Sequence, residues 1–106
     1  MKILRLLTLF FIATSAHAYD NSSYYHIVHL YSWTSGDVHV WLKESAAAHQ
    51  CSDNTYPTRY LMKRSSAEEF DQKFSLLLAA KTSDEPIKLR YECGNDGLPY
   101  IQAIRF

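Results

Sequence analysis

The amino-acid sequence predicts a mainly β domain with one α-helix, in the order β-β-β-α-β-β. Five short stretches alternate apolar and polar residues, the pattern of half-buried strands. One stretch, 65–82, instead has apolar residues at the three-and-four spacing of a helix. No catalytic motif stands out, so the sequence indicates compartment and architecture more than activity.

The helix is predicted from a single apolar stripe and from two possible caps. The stripe comprises Phe70, Phe74, Leu77, Leu78 and the stem of Lys81. Ser65 stands three residues before Glu68, and Ser66 stands three residues before Glu69. Because this capping-box spacing satisfies the free N–H groups of a first turn, the helix is expected to begin at Ser65 or Ser66.

The N-terminus has the features of a secretory signal peptide. Lys2 and Arg5 precede an apolar run, 6–12, and small residues follow up to Ala18. A membrane anchor is the alternative, but a spanning helix needs about 20 apolar residues and the run 6–12 spans only seven. We therefore expect residues 1–18 to be removed, leaving 19–106 as a single secreted or periplasmic domain without a membrane span.

The mature chain is small and mildly acidic. Removing 18 of the 106 residues leaves 88, enough for one domain with one core. Loss of Lys2 and Arg5 leaves 9 basic residues against 11 acidic ones, a net charge of about −2. Since nucleic-acid binding needs a basic face and the longest basic run is Lys63-Arg64, no nucleic-acid partner is expected.

Two cysteines, Cys51 and Cys93, remain after cleavage. Exported proteins usually pair such thiols, which predicts a Cys51–Cys93 disulfide. Closing a loop of about 43 residues would stabilise the fold by about 4 kcal/mol in the chain-entropy model. Two unpaired structural cysteines are the alternative.

The first two predicted strands form a hairpin. The strand 24–33 meets the strand 38–44 through a turn at 34–36, where Gly36 supplies the positive φ that such a loop needs. This turn pairs Val28 with Leu42 and Leu30 with Val40, which collects the aliphatic residues on one face. The opposite face collects His29, Tyr31, Trp33, His39 and Trp41, with Lys43 at its end.

Aromatic residues on the face away from the core require an explanation. The domain's own barrel and loops could cover them. They could instead form a subunit interface, or a platform on which a ligand stacks.

The remaining strands are predicted at 58–64, 87–92 and 100–106, and 45–57 is a polar connection. Residues 19–23 are expected to be loose, and Asn21-Ser22-Ser23 matches a glycosylation sequon. The helix stripe is expected to pack against a strand set comprising Val28, Leu30, Val40, Leu89 and Ile101.

The predicted order, with its helix between the third and fourth strands, matches an OB-like five-stranded barrel. The module 70–87, an amphipathic helix, a short corner and a strand of the type Pro86-Ile87-Lys88-Leu89, resembles the corresponding part of the binding subunits of AB5 toxins, above all the subtilase cytotoxin type. The leader, the size and the single disulfide agree with this resemblance. It implies a pentameric ring that binds cell-surface glycans without catalysis, but none of the family's sugar contacts matches a position here.

Two other chemistries fit the residue types less well. The four histidines of the mature chain are candidate metal ligands. His29 and His39 lie diagonally on one face of the predicted hairpin, but no third and fourth ligand converges there, so no metal or cofactor is expected. A small secreted ribonuclease-like hydrolase would need a histidine, a carboxylate and an arginine, for which His39, Glu92 and Arg90 are available. The acidic net charge counts against its polyanionic substrate.

The sequence therefore predicts an exported, non-enzymatic binding module without catalytic residues. Its expected binding surface is His29, Tyr31, Trp33, His39 and Trp41, and its expected partner is a cell-surface glycan. A monomeric domain that binds or inhibits another protein is the main alternative. A homo-oligomer is expected if the resemblance to toxin subunits holds, because small weak sites gain strength through multivalency.

Overall fold

The structure, a computed structural model, describes residues 18–65, 67 and 69–106. The predicted signal peptide therefore lies outside the described residues except for Ala18. Ser66 and Glu68, one member of each predicted capping box, also lie outside them. Among the described residues, no helix has both the length and the apolar character needed to cross a membrane.

The chain forms one six-stranded sheet and one α-helix, which confirms the mainly β class. The strands are β1 (Ala18–Asp20), β2 (Ile27–Ser32), β3 (Val38–Leu42), β4 (Arg59–Met62), β5 (Lys88–Cys93) and β6 (Pro99–Arg105), and the helix is α1 (Phe70–Ser83). Their order across the sheet is β1-β5-β6-β4-β3-β2, and β4 and β6 are parallel.

The sheet departs from the predicted five-stranded barrel in two ways. It has a sixth strand, β1, and its ladders do not close, because among the described residues no ladder joins β1 to β2. The two edge strands are nevertheless consecutive in the chain. In the segment that joins β1 to β2, the backbone N–H of Asn21 donates to the carbonyl of Leu89 over 2.9 Å, and Tyr25 exchanges two backbone hydrogen bonds with Ile87.

The segment expected to be loose is thus held along β5. Tyr19 stacks on Tyr91 with 5.5 Å between ring centroids, which adds apolar contact to this short edge strand. Asn21 is buried, and its side-chain Nδ2 donates a hydrogen bond to the Tyr60 hydroxyl. The sequon asparagine therefore faces the interior in the folded chain.

The first hairpin has the predicted turn and most of the predicted register. Gly36 has a φ of +90°, and Leu30 lies opposite Val40 as expected. A β-bulge before His29, however, places Ile27 opposite Leu42, where Val28 was predicted. The extra residue turns Val28 to the surface and Ile27 into the core, so the pairing predicted for Val28 is wrong.

The helix packs on β2 and β6, but it is shorter and rotated relative to the prediction. It begins at Phe70, not at Ser65 or Ser66, because Glu69 adopts a left-handed conformation with a φ of 53°. Leu77 and Ala80 are buried, and Phe70 and Phe74 pack partly buried against the core. Leu78 is exposed, which contradicts its predicted place in the stripe.

The core lies between the inner face of the sheet and the helix. Its largest fully buried side chains include Tyr60, Tyr91, Leu42, Met62, Leu77, Ile87 and Leu89. The predicted core positions Val40, Leu89 and Ile101 are buried, and Leu30 is partly buried. The predicted disulfide is confirmed: Cys51 and Cys93 are bonded with 5.5 Å between their Cα atoms, and they link the loop after β3 to the end of β5.

Candidate functional site

Four of the five residues predicted as a binding surface line one groove of about 540 Å³. The lining consists of Tyr31, Ser32, Trp33, His39, Trp41, Tyr56 and Arg59, and we call it the aromatic groove. The fifth predicted residue, His29, lies beside the groove with its ring centroid 6.0 Å from that of Tyr31. Lys43 follows β3 as an exposed residue.

Strand alternation builds the groove. On β3, Val38, Val40 and Leu42 are buried in the core, which directs His39 and Trp41 to the other face. Cross-strand pairing places Tyr31 opposite His39 on one side. On the other side it places Arg59 of β4 opposite Trp41. The groove therefore runs across three neighbouring strands.

The rings of the groove combine exposed rims with partly buried walls. Tyr31 is 53% exposed and Trp33 is 55% exposed, while His39 and Trp41 are partly buried. Trp33 lies 5.1 Å from His39 between ring centroids, and Trp41 meets Tyr56 edge to face at 5.3 Å. The domain thus does not cover its own aromatic face at Tyr31 and Trp33.

Arg59 lies in the wall of the groove between two aromatic rings. Its guanidinium carbon is 4.5 Å from the centroid of the Tyr56 ring and 5.8 Å from that of Trp41. Cation–π contacts of this kind contribute about 0.5–2 kcal/mol, depending on desolvation. Tyr56 thus contacts both Arg59 and Trp41.

Trp41 and Arg59 each carry a buried donor. Among the residues that the structure describes, no hydrogen-bond acceptor meets the indole Nε1 of Trp41 or the Nε of Arg59. An unsatisfied buried donor costs about 1–3 kcal/mol. The groove wall therefore holds two N–H groups whose hydrogen-bonding capacity no described residue uses.

The groove has a weakly positive character. Burial is the main cause that lowers the pKa of His39, and nearby Arg59 lowers it further, while Asp37 acts in the opposite direction. His39 is therefore neutral at pH 7, which leaves Arg59 as the cation among the lining residues. No carboxylate belongs to this lining.

Tyr56 and Arg59 were missed by the sequence reasoning. Tyr56 lies in the connection 45–57, whose polar composition carries no signal for a binding side chain. Arg59 could have been found, because alternation in its strand sets it on the face opposite Tyr60, and pairing that strand with β3 brings it beside Trp41.

The residues considered for hydrolysis are not brought together. His39 lies on β3, whereas Arg90 and Glu92 lie on β5, and β4 and β6 run between them. At about 4.8 Å per strand step, three steps separate β3 from β5 by about 14 Å measured along the sheet. Among the described residues, no group of three or more His, Cys, Asp or Glu side chains is arranged to hold a metal ion.

Comparison of the chain with protein-family models, with curated proteins and with solved structures gives no match.

Proposed function

We propose that the protein is an exported, non-enzymatic module that binds a carbohydrate in the aromatic groove. The observation that carries this proposal is the combination of exposed aromatic faces with unpaired donors in one concave surface. An aromatic ring offers a flat apolar surface on which the apolar face of a sugar ring can stack. Donors at the wall then fix the orientation of the stacked ring.

The size of the groove suits this ligand class. Pockets that bind small molecules span about 300–1,000 Å³, and the groove, at about 540 Å³, lies within that range. Its rims, Tyr31 and Trp33, remain accessible to a ligand that approaches from solvent. Its lining carries one cation and no carboxylate, so it favours ligands that offer hydrogen-bond acceptors.

The two unpaired donors define where such acceptors would lie. Both are buried, and both belong to residues that contact Tyr56, a residue 46% exposed. We infer from these contacts that Tyr56 shields both donors, and that a rotation of its side chain would expose them to an incoming hydroxyl or carbonyl oxygen. Pairing would then recover the free energy that the unsatisfied donors cost.

The topology supports the same face. We infer that 18–32 acts as one bent strand of a partly open OB-type barrel, because it borders β5 at its start and β3 at its end. In OB barrels, the face of the second and third strands binds oligosaccharides and oligonucleotides. Those strands correspond to β3 and β4, which carry Trp41 and Arg59. This support is an analogy of fold, and the groove's own chemistry carries the function.

Export is part of the proposal. The Cys51–Cys93 disulfide is of the kind that persists in oxidising compartments such as the periplasm or the extracellular medium. The apolar N-terminal run supports the same compartment.

A glycan array probed with the oxidised protein tests the proposal. We expect the wild-type chain to bind a subset of glycans and Trp33→Ala to lose at least tenfold in affinity. Phe106→Ala is the matched control, because Phe106 is similarly exposed but lies outside the groove. The proposal fails if no glycan binds. It also fails if Trp33→Ala converts an oligomer to single chains by light scattering without any glycan signal, since the groove would then be a subunit interface.

A further inference from the structure

A second pocket, of about 270 Å³, lies on the part of the sheet formed by β1, β5 and β6. It is lined by Asp20, Lys88, Arg90, Ala103, Ile104 and Arg105. We call it the cationic pocket, because it carries three basic side chains against one carboxylate. It shares no lining residue with the aromatic groove.

The register places two of these cations directly against each other. Lys88 of β5 is the cross-strand partner of Arg105 of β6, and Arg90, two residues along, lies on the same face. Like charges directly opposite in a sheet are destabilising. The sheet thus holds an electrostatic conflict at the site where its strands bring Lys88 and Arg105 together.

The protein itself does little to neutralise this cluster. The Nε of Arg90 lies 3.8 Å from Asp20 Oδ1, and both side chains are more than half exposed. Exposed pairs of this kind contribute about 0–1 kcal/mol. Within the described part of the chain, no carboxylate forms an ion pair with Lys88 or Arg105. The ammonium of Lys88 instead lies 5.8 Å from the centroid of the Tyr24 ring.

The local charge is opposite to that of the whole domain. The pocket lining sums to +2, whereas residues 19–106 carry 9 basic and 11 acidic side chains. Its volume, about 270 Å³, has room for a group of the size of sulfate or phosphate. Two arginines offer planar forks of donors that match the oxygens of a sulfate or phosphate group.

We propose that the cationic pocket binds a tetrahedral oxyanion, sulfate or phosphate, held by Lys88, Arg90 and Arg105. The anion would relieve the repulsion between Lys88 and Arg105 and satisfy donors that lack a carboxylate. The anion is either free in solution or carried on a sulfated sugar. The proposal does not depend on the aromatic groove, and a failure of carbohydrate binding there would leave it intact.

The test titrates sodium sulfate and sodium phosphate into the oxidised protein while backbone amide resonances are followed by NMR. We expect saturable shifts in β5 and β6 with both anions but not with sodium chloride at equal ionic strength. Lys88→Gln and the double variant Arg90→Gln/Arg105→Gln should each weaken binding at least fivefold. Lys81→Gln is the control, because Lys81 is an exposed cation outside the pocket.

Thermal melts show whether each variant is folded and provide a second measure of anion binding. Sulfate stabilises folded proteins in general because it is excluded from their surface, so the variants give the baseline. Sulfate should raise the melting temperature of the wild-type chain and of Trp33→Ala by more than that of the folded pocket variants, because only the first two also bind it as a ligand of the folded state. Shifts that do not saturate, that chloride reproduces, or that persist in the double variant would overturn the proposal.

A heparin-derived sulfated disaccharide then identifies the source of the anion. Binding at least tenfold tighter than that of inorganic sulfate, and lost in the double variant, supports a sulfated sugar. Equal affinities for both probes support a free anion in the pocket. If neither probe binds, the pocket is only a solvated basic surface and the proposal is wrong.

Discussion

The side-chain Nδ2 of Asn21 donates a hydrogen bond of 2.8 Å to the hydroxyl of Tyr60 inside the core. The Oδ1 of Asn21 accepts from the backbone N–H of Leu89, and the Tyr60 hydroxyl donates to the carbonyl of Ala47 over 2.6 Å. These bonds connect the segment after β1 to β4, β5 and the loop after β3. Burial raises the pKa of Tyr60, so its hydroxyl stays protonated and able to donate.

Replacing Asn21 should therefore destabilise the fold although it lies between strands. Asn21→Ala leaves the backbone N–H of Leu89 without its acceptor, and we expect the free energy of unfolding to fall by about 1–3 kcal/mol. Urea denaturation of the oxidised protein measures this change. Asn54→Ala, at an exposed loop position, should change stability by less than about 0.5 kcal/mol. Equal effects of the two variants would remove Asn21 from the core network.

The sequence predicts those parts of the fold that depend on local pattern. Alternation finds five of the six strands, and helical spacing finds α1. The sequence does not predict the edge strand β1, because its three residues, Ala18–Asp20, are too few to give a periodic signal, and their order comes from pairing with β5. The sequence pattern does not predict the bulge before His29 either, since only the packing of Ile27 against the core reveals it.

The same distinction applies to the aromatic groove. Residues of the first hairpin follow from the turn and the alternation, and His39 and Trp41 are where the sequence expects them. Tyr56 and Arg59 depend on which strand pairs with β3 and on the path of the following loop. Those relationships are non-local, so a single strand's pattern cannot supply them.

The rotation of the helix gives a sharp test of its packing. Leu77 is fully buried and its neighbour Leu78 is 49% exposed, so the same substitution should act differently at the two positions. We expect Leu77→Ala to lower the free energy of unfolding by about 2–5 kcal/mol. Leu78→Ala should change it by less than about 1 kcal/mol, since no comparable cavity forms. Thermal melts of both variants measure these losses of stability. A larger loss in Leu78→Ala than in Leu77→Ala would mean that the helix presents Leu78 to the core.

Stability should fall on mild acidification because of His49. This buried imidazole accepts a 3.1 Å hydrogen bond at Nδ1 from the backbone N–H of Cys51. Burial is the largest cause that lowers the pKa of His49, and Arg59 lowers it too, against opposite effects of Asp53 and the Tyr56 backbone. Protonation would also remove the acceptor at Nδ1.

The sign of the pH effect follows from linkage. Below about pH 6.5 the unfolded chain protonates His49 while the folded chain does not yet do so, hence unfolding takes up protons. The free energy of unfolding should decrease as the pH falls from about 7 to about 5. His39, whose pKa is also lowered, acts in the same direction. His49→Gln, which keeps an acceptor near Cys51, should reduce the slope in urea titrations at several pH values, and an unchanged slope would contradict this role.

Arg59 should matter more for binding than for folding. Arg59→Met removes a buried Nε for which the described part of the chain supplies no acceptor, which favours the folded state, and it also removes the cation–π contact with Tyr56. These effects, about 1–3 and 0.5–2 kcal/mol in size, oppose each other, so we expect Arg59→Met to destabilise the fold by no more than about 1 kcal/mol. Carbohydrate affinity should fall at least tenfold, because the groove loses its cation and a wall donor.

Calorimetric titration with a glycan identified on the array measures the affinity. Arg64→Met is the control, because Arg64 is an exposed arginine outside the groove. Unchanged affinity in Arg59→Met would show that the ligand does not use this donor.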